Sequence, residues 1–384
     1  MSEISIPIVD LSASYRRYRD DIDAGIARVL ESGWYILGKE VARFEGEFAA
    51  WLGVKNVVGV ANGTDAVNLA LRSLGIGQGD AVFTVSHTAV ASVAAIEMAG
   101  ATPVLVDVEA STRNMDLNKL AETVRSFPRT AGGLVPKAVL AVHLYGHSCD
   151  LSALQGLCRE NELELIEDCA QAHGTRFGNA RAGTFGSAAA FSFYPTKNLG
   201  AFGDAGAVAF PDPAAAMRCR ALREYGWTSR YVSEYSGLNS RLDEFQAAIL
   251  GVKLPHLDAE VAVRQALAHR YDTGLAGLVE TPIVSPGTSH GYHLYVVRTP
   301  FRDSLRKALE NSGIGSGIHY PVPVHLQPAY RGRVPLGVGS LAVSEALARE
   351  VLSLPMHPFL SAQDLERVIG AVANWAKSGR GRAE

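Results

Sequence analysis

Short apolar runs alternate with helical segments between residues 57 and 167, and this alternation restricts the possible folds more than any other feature. The runs are rich in Val, Ile and Phe and lie at 57–60, 81–85, 103–108, 138–144 and 163–167. The helical segments between them lie at 65–74, 89–99, 116–126 and 150–161. Strands joined by helices form βαβ units, so the pattern predicts a largely parallel sheet with helices on both faces.

Two further apolar runs, at 188–193 and 205–210, complete a predicted central sheet of seven strands. A loop rather than a helix joins these two runs, so one of them can pair antiparallel. The predicted fold class is therefore α/β, with a mostly parallel seven-stranded sheet flanked by helices.

The sequence pattern changes near residue 250, which divides the chain into two predicted domains. Residues 1–250 form a large α/β domain that includes a helical segment over 1–55. A long helical stretch at 241–273 contains Pro255, which favours a break. Residues 251–384 form a small α+β domain. Its predicted elements are a strand (292–299), a helix (301–312), a Pro- and His-rich loop (318–330) and two terminal helices.

Composition excludes several classes of protein. The 384 residues are 47% hydrophobic, which is too apolar for a disordered chain. The formal charge of −3 argues against a nucleic-acid-binding surface. We find neither a membrane-spanning apolar stretch nor the pattern of a signal peptide. The four cysteines are scattered and form no CxxC pair. We therefore expect a cytoplasmic enzyme without nucleic-acid or membrane partners.

The segment Asn62-Gly63-Thr64-Asp65 lies between a predicted strand and a predicted helix. A helix N-terminus offers free N–H groups and a partial positive charge, and Gly63 lets the backbone approach an anion closely. The segment therefore predicts a phosphate-binding turn. Capping of the helix by Thr64 or Asp65 would explain the same residues without a ligand.

Two charged residues follow later apolar runs and suggest a catalytic site. Asp168 lies at the end of a strand, where α/β sheets bind ligands, and a carboxylate there can keep a pyridine nitrogen protonated. Lys197 closes the aromatic segment FSFYPTKNLG, where loss of water lowers a lysine pKa and makes the amine nucleophilic. The alternatives are a capping aspartate and a solvated surface lysine. About one strand–turn–strand unit separates the two residues, so both can reach one pocket.

Two long motifs, IEDCAQAHG and FSFYPTKNLGAFGDAG, together with the phosphate-type turn resemble fold type I pyridoxal phosphate (PLP) enzymes. In detail they are similar to the DegT/DnrJ/StrS family of nucleotide-sugar aminotransferases. The resemblance extends from VDLSASYRRY near the start to LSLPMHPFL near residue 360. It implies the fold type I architecture and PLP as the cofactor.

The resemblance also implies a role for each matching residue. Lys197 would bind the cofactor covalently and shuttle a proton, and Asp168 would pair with its pyridinium nitrogen. Gln171 would contact the O3′ oxygen of the ring. The groups that would hold the phosphate are the Ser192 side chain and the backbone of Gly63 and Thr64.

Asn239, in the segment GLNSRLDE, matches an asparagine that members of this family lend to the phosphate site of a neighbouring subunit. The resemblance therefore implies a homodimer with shared active sites. The same residue could instead cap the helix that contains LDEFQAAIL.

One position departs from the family pattern. Many members place an aromatic residue against the cofactor ring shortly after the second strand, whereas this chain has Ala89 in SHTAVA. His87 is the predicted replacement for the stacking face. Relatives that remove a hydroxyl rather than transfer an amine carry histidine in place of the lysine, so Lys197 favours transamination.

A segment dense in His, Tyr and Pro, GIHYPVPVHLQPAY, resembles the loop that meets the sugar nucleotide in this family. Prolines restrict the shape of the loop, and His and Tyr supply hydrogen-bonding groups. The predicted substrate-binding residues are Tyr194, His319, Tyr320, His325 and Gln327. Because no carboxylate or cysteine lies near the two histidines in sequence, we predict no metal site.

The segments NSRLDE and HYPVPVHLQPAY are similar to the subgroup that aminates C3 of dTDP-3-keto-6-deoxyhexoses. The implied reaction transfers the amino group of L-glutamate to that keto carbon and gives a dTDP-3-amino-3,6-dideoxyhexose. Alternatives are a 4-keto-sugar nucleotide aminotransferase, an inosose aminotransferase and a non-catalytic regulator that binds PLP. The retained Lys197 argues against the regulator.

Overall fold

The computed structural model describes residues 4–127 and 133–379. Its helices are α1 (Leu11–Arg17), α2 (Arg19–Ser32), α3 (Lys39–Leu52), α4 (Gly63–Ser73), α5 (Val90–Met98), α6 (Leu117–Ser126), α7 (Leu151–Glu160), α8 (Pro213–Leu222), α9 (Glu244–Lys253), α10 (Leu257–Leu275), α11 (Arg302–Asn311), α12 (Ala342–Glu350) and α13 (Ala362–Lys377). Its strands are β1 (Asn56–Val60), β2 (Asp80–Val85), β3 (Thr102–Val106), β4 (Val135–Val142), β5 (Glu164–Asp168), β6 (Arg176–Phe177), β7 (Ala180–Arg181), β8 (Ala188–Ser192), β9 (Gly206–Phe210), β10 (Trp227–Ser229), β11 (Val232–Ser233), β12 (Thr288–Ser289), β13 (Tyr295–Arg298) and β14 (Val351–Leu354).

A seven-stranded sheet in the order β1-β9-β8-β5-β4-β2-β3 forms the centre of the molecule. Strands β3, β2, β4, β5 and β8 pair parallel, whereas β9 is antiparallel to both β8 and β1. The predicted α/β class and the antiparallel strand after the loop are confirmed. Because β5 and β8 are parallel neighbours, Asp168 and Ser192 lie at the same edge of the sheet.

Helices cover both faces of this sheet, because successive strand side chains point to opposite faces. On one face α3 packs Phe44 and Phe48 against the sheet, and the Phe48 ring meets the Phe191 ring edge-on at 5.1 Å. On the other face α4 buries Leu71 against β9, where Val208 is fully buried. Burial of each such side chain contributes roughly 1.5–3 kcal/mol.

Pro255 ends α9 as predicted, and a 3-10 turn at Leu254–His256 leads into α10. Beyond it, β13 pairs antiparallel with β14, and Tyr271 stacks on Tyr295 in the core between these strands and their helices. The sequence pattern did not predict β14. This strand follows α12 without a turn, so its four apolar residues are indistinguishable from a continuation of the helix.

The first described residues pack against the C-terminal elements, although the predicted division groups them with the large domain. Ile6 is buried and forms a parallel bridge with Ile314. The Met356 N–H donates to the Ile8 carbonyl at 3.2 Å. These residues thus belong with the small C-terminal sheet.

Among the described residues, no helix has both the length and the apolar character needed to cross a membrane.

Candidate active site

A cavity of about 480 Å³ opens at the carboxyl edge of the sheet, where β5 and β8 end and α4 begins. The predicted site residues that line it are Gly63, Thr64, Asp168, Gln171, Ser192, Tyr194 and Lys197. Residues that the sequence did not single out line it too, among them Ser92, His143 and Asp204. Topology therefore brings the turn before α4, the end of β5 and the loop after β8 into one pocket.

The N-terminus of α4 forms one end of the cavity. Asn62 is the N-cap, rather than Thr64 or Asp65, and its Oδ1 accepts the Asp65 N–H at 2.8 Å. The N–H groups of Gly63 and Thr64 have no partner in the described chain. A Cβ atom at Gly63 would lie 2.5 Å from the Cβ of Ser192. Only glycine therefore lets Ser192 lie against this turn, which has free N–H groups suited to phosphate.

The Asp168 carboxylate is buried at the end of β5 and is oriented by two donors. Ser92 Oγ donates to Oδ2 at 2.8 Å, and the Ala170 N–H donates to Oδ1 at 3.1 Å. A buried carboxylate requires such hydrogen bonds to offset its loss of water. Ser92 lies within α5, where a serine has no distinctive sequence pattern, and this explains why sequence reasoning missed it.

The Lys197 amine lies in the same cavity as Asp168. Burial lowers the Lys197 pKa to about 8, although the charge of Asp168 acts in the opposite direction. A larger fraction of this amine is therefore neutral near pH 7 than for a lysine in water, and the neutral amine is the nucleophile.

The loop that carries Lys197 is tightly folded. The Lys197 N–H donates to the Tyr194 carbonyl at 2.8 Å. A Cβ atom at Gly200 would lie 2.3 Å from the Pro195 carbonyl oxygen, so the close approach of the two loop ends requires glycine. Lys253 Nζ donates to the Gly200 carbonyl at 2.5 Å. These contacts hold the backbone from which the catalytic amine projects.

The Gln171 side chain is oriented by its neighbours. Its Oε1 accepts the backbone N–H of Tyr145 at 2.7 Å, and its Nε2 donates to Tyr320 Oη at 3.0 Å. Because a backbone N–H can only donate, the amide oxygen must face Tyr145. The amide N–H that is not donated to Tyr320 is then available to an acceptor in the cavity, as the predicted contact with a ring oxygen requires.

A buried charged pair that the sequence did not reveal lies beside Asp168. His143 lines the cavity, and its Nε2 is 3.0 Å from Oε2 of Glu167, with both side chains fully buried. Burial acts to lower the His143 pKa, but hydrogen bonds to Cys149, Cys169 and Glu167 raise it well above its ordinary value. The protonated imidazole therefore offsets the Glu167 charge.

His143, Glu167 and Cys169 also form a group of three potential metal ligands within the described residues. The donors to the Glu167 oxygens are His143 Nε2 and the backbone N–H groups of Gly183, Phe185 and Gly186. These four bonds use the acceptor capacity of the carboxylate. We therefore interpret the cluster as a hydrogen-bonded network rather than a metal site.

His87, predicted to stack on the cofactor ring, does not line the cavity. Its side chain is fully buried, and its Nε2 lies 2.9 Å from Tyr145 Oη. Burial lowers the His87 pKa to about 3, so the ring is neutral. Ala89 lines the cavity instead. We correct the assignment accordingly: His87 supports Tyr145, and the side chain at the predicted stacking position is a methyl group.

The C-terminal loop reaches the site through two of its predicted residues. Tyr320 contacts Gln171, as described above, and the His319 carbonyl accepts a hydrogen bond from Tyr145 Oη. Burial and the charge of Lys197 lower the His319 pKa to about 4. Neither residue lines the cavity itself, so both lie around the Gln171 side of the site.

His325 and Gln327, the other two loop candidates, are engaged elsewhere. The His325 ring nitrogens contact Ser86 Oγ at 2.7 Å and Glu345 Oε1 at 3.2 Å. Gln327 Nε2 donates to the Val322 carbonyl at 3.2 Å. Because both His325 nitrogens are used within the fold, we correct its assignment to a residue that holds the loop against the large domain.

Asn239 is exposed and lies outside the cavity of its own chain. It does not cap α9, because the N-cap of that helix is Asp243. The adjacent Ser240 fixes this backbone: its Oγ donates to Asp65 Oδ2 at 2.6 Å and accepts the Ala61 N–H at 3.0 Å. Asn239 is therefore held beside α4 with its side chain directed to solvent.

Fold and site together define a class of enzyme. The donors and acceptors of the cavity fit PLP: a buried carboxylate for the pyridine nitrogen, the Gln171 amide for the ring oxygen, and Ser192 with the α4 N-terminus for the phosphate. Glycine at position 63 lets Ser192 lie against the α4 N-terminus, and these two groups together would form the cradle for this phosphate. Lys197, whose amine lies in the same cavity, would be the residue that binds the cofactor covalently.

Comparison with known proteins places the chain within this class. It belongs to the DegT/DnrJ/EryC1/StrS aminotransferase family, whose profile matches residues 17–373. It is 49% identical over 374 residues to the dTDP-3-amino-3,4,6-trideoxy-alpha-D-glucose transaminase of Streptomyces venezuelae, covering 97% of this chain and 96% of that protein. The chain is thus a PLP-dependent aminotransferase.

Two further comparisons agree. The chain is 44% identical to the dTDP-3-amino-3,6-dideoxy-alpha-D-galactopyranose transaminase of Aneurinibacillus thermoaerophilus, covering 96% of this chain and 98% of that protein. The X-ray crystal structure of S. venezuelae DesV in complex with a ketimine intermediate superposes with a TM-score of 0.92 at 48% identity, covering 99% of each chain.

Proposed function

We propose that this aminotransferase moves the amino group of L-glutamate to the C3 keto group of a dTDP-3-keto-6-deoxyhexose, giving a dTDP-3-amino-3,6-dideoxyhexose. The observation that carries the chemistry is the cavity that Lys197 and Asp168 share with the α4 N-terminus. The choice of C3 is supported by two relatives, 49% and 44% identical, that are named as transaminases of 3-amino sugars.

Each polar side chain of the cavity has a different role in the proposed reaction. Bound PLP supplies an electron sink for the carbon from which a proton is removed. Asp168, oriented by Ser92, would keep the pyridine nitrogen protonated, and Gln171 would donate to the ring oxygen. Lys197 Nζ, whose pKa burial lowers to about 8, would take the proton from the donor carbon and deliver it to the cofactor carbon.

The sugar nucleotide enters from the side on which the C-terminal loop lies. Tyr194 lines the cavity with 52% of its surface exposed, so it forms part of the mouth. The segment His319–Tyr320 lies next to Gln171 at the same site. Tyrosine hydroxyls can donate to diphosphate or sugar oxygens, and we assign Tyr194 and Tyr320 this role.

The test of the substrate is direct. The purified holoenzyme is incubated with L-glutamate and one acceptor per sample, either a dTDP-3-keto-6-deoxyhexose, a dTDP-4-keto-6-deoxyhexose or an inosose, and the aminated carbon is identified by NMR. Amination at C3 supports the proposal, whereas amination of only the 4-keto sugar, or of an inosose, overturns it. Lys197→Ala serves as the control that should form no product.

We further propose that two chains form a homodimer in which Asn239 reaches the phosphate site of the partner subunit. The support is that Asn239 is exposed and lies outside its own cavity, beside α4. Large apolar side chains are also exposed around the start of α9: Tyr35, whose carbonyl accepts the Glu244 N–H, is 46% exposed, and Phe202, whose N–H donates to Gln246, is 40% exposed. Exposed apolar patches of this kind are typical of interfaces.

A cytoplasmic location stays a prediction. It is consistent with Cys149, Cys158, Cys169 and Cys219, which are all buried and free.

A further inference from the structure

Tyr145 has a strained backbone conformation and lies between Gln171 and the segment His319–Tyr320. The reaction described above gives it no role. It lies in the turn Leu144–Gly146 directly after β4, is buried, and has a φ of +62°. A left-handed conformation is unfavourable for a bulky side chain, so the contacts of Tyr145 must hold it there. Its hydrogen bonds include those to Gln171, His319 and His87, and its carbonyl accepts the Leu294 N–H at 3.3 Å.

The backbone N–H of Tyr145 sets the direction of Gln171. As described, it donates to Gln171 Oε1 at 2.7 Å, and the Gln171 amide nitrogen therefore faces Tyr320 and the cavity. A side chain at the next residue, Gly146, would be strained, because its φ is +97° and a Cβ atom there would lie 3.0 Å from the Gln171 carbonyl oxygen. The whole turn is thus packed against Gln171.

The phenol of Tyr145 sets the position of the C-terminal loop. Its hydroxyl donates to the His319 carbonyl, which uses its one hydrogen. His87 Nε2, 2.9 Å away, must then be the protonated nitrogen that donates to Tyr145 Oη. One residue therefore holds Gln171 with its backbone and the segment His319–Tyr320 with its side chain.

Tyr320 is the last residue of this hydrogen-bonded network. Its Oη accepts one N–H of Gln171, so its own hydroxyl hydrogen is available to an acceptor outside this network. Burial raises the Tyr320 pKa to about 12, so this hydroxyl stays protonated. The second N–H of Gln171 remains for the ring oxygen of the cofactor.

We propose that Tyr145 is a positioning residue that couples the sugar-facing loop at His319–Tyr320 to Gln171, and through Gln171 to the cofactor ring oxygen. The coupling deepens the proposed function and rests on it. Binding of the sugar nucleotide at Tyr320 is transmitted to the group that hydrogen-bonds the cofactor. Transamination has two half-reactions, since the enzyme first takes the amino group from glutamate and then passes it to the sugar, and the two differ in their need for this coupling. The glutamate half-reaction depends on the contact between Gln171 and the cofactor. The sugar half-reaction depends on that contact and also on the position of the segment His319–Tyr320.

The first test is Tyr145→Phe, which removes the phenol contacts but keeps the backbone N–H to Gln171. We expect kcat/KM for the sugar half-reaction to fall about tenfold, as for the loss of one buried hydrogen bond. The rate of the glutamate half-reaction and the pH titration of the absorbance of the bound cofactor should stay unchanged. Equal loss in both half-reactions, or no loss in either, overturns the proposal.

The second test is Tyr320→Phe, which removes the acceptor of Gln171 without altering Tyr145. In this variant we expect the pH midpoint of the cofactor absorbance to shift and kcat/KM for the sugar half-reaction to fall. An unchanged midpoint overturns the coupling, even if Tyr145→Phe fails to fold. The matched control is Tyr330→Phe, in the same loop, whose hydroxyl has no partner in the described chain and which should change neither measurement.

The absorbance titration needs no sugar substrate. The experiments therefore distinguish a failure of the proposed function from a failure of the proposed coupling. If the wild-type enzyme aminates no 3-keto sugar, the proposed function is wrong, whereas a shifted midpoint in Tyr320→Phe still supports the contact. If the enzyme aminates the sugar and the midpoint does not move, the coupling alone is wrong.

Discussion

The reactivity of Lys197 depends on the fraction of its amine that is neutral. Because its pKa is lowered to about 8, this fraction increases as pH rises through that value. We expect the rate constant for binding of PLP to the cofactor-free enzyme to rise about tenfold between pH 7 and pH 9 and then to level off. Stopped-flow absorbance measures this rate, and a rate that still rises steeply above pH 10 would show that the lysine is not perturbed.

Asp168 acts on the same pKa with the opposite sign to burial, and this gives a second residue-scale prediction. Its charge raises the Lys197 pKa, so Asp168→Asn should move the midpoint of the pH profile below that of the wild type. Asp204→Asn removes another carboxylate of the cavity and should move the midpoint less. A midpoint that rises in Asp168→Asn would contradict the assigned electrostatics.

Gly63 tests the phosphate cradle. A Cβ atom in Gly63→Ala would lie 2.5 Å from the Ser192 Cβ, so either the end of β8 or the start of α4 must move. We expect the dissociation constant for PLP, measured by fluorescence or dialysis, to increase at least about tenfold. Gly156→Ala, in α7 with open space at its Cβ position, is the matched control and should bind PLP as the wild type does. Equal affinity in both variants would place the phosphate elsewhere.

At the scale of elements, Glu167 joins β5 to β4 and to the loop before β8. Removing one partner of a buried pair leaves an uncompensated charge, so Glu167→Gln should lower the free energy of unfolding by about 3–5 kcal/mol. Glu345→Gln, which removes the half-exposed partner of His325, should lower it by less than about 1 kcal/mol. Urea unfolding measures both values, and similar losses would mean that the Glu167 pair contributes little.

This pair also predicts a pH dependence. The folded-state pKa of His143 is raised, so its stabilisation is fully present below the unfolded value near 6.5 and is lost as pH rises through the raised value. The difference in unfolding free energy between wild type and Glu167→Gln should therefore be larger at pH 6 than at pH 9. A difference that grows with pH would have the wrong sign for a protonated His143.

Most of the sheet could be predicted from the sequence because each strand is a separate apolar run bounded by a turn. The strand β14 could not, since its partner β13 lies some 50 residues earlier and nothing marks its start. The candidate catalytic residues Asp168 and Lys197 could be found for a similar reason, because each lies in a long motif next to a strand. Ser92 and His143 could not be found from the sequence, because their contacts with Asp168 and Glu167 form only when α5 and the end of β4 lie beside β5.

At the scale of the whole molecule, the fold places His87 away from the position at which the sequence predicted that it would stack on the cofactor ring. His87 was the nearest ring to the expected position, but the strand β2 directs it into the interior toward Tyr145. Sequence proximity does not determine which face of a strand end a side chain occupies. The same limitation applies to His325, which is close to His319 in sequence but is held by Ser86 and Glu345.

The shared active site can be tested by mixing two inactive chains. If Asn239 completes the site of the partner subunit, Lys197→Ala and Asn239→Ala each inactivate every site of their own homodimers, or nearly so. A hybrid dimer contains one site with both Lys197 and Asn239 intact and one site with neither. Random reassociation places half of the chains in hybrids, so the mixture should recover about a quarter of the wild-type activity.

The control for that experiment is a mixture of Lys197→Ala with Lys197→Ala carrying Asn239→Ala, which can form no intact site. Light scattering of each sample should give the mass of a dimer. A monomer of full activity, or a mixture that recovers nothing although hybrids form, would mean that all of the phosphate contacts come from a single chain. Recovery above the activity of the separate variants requires that residues from two chains meet at one cofactor.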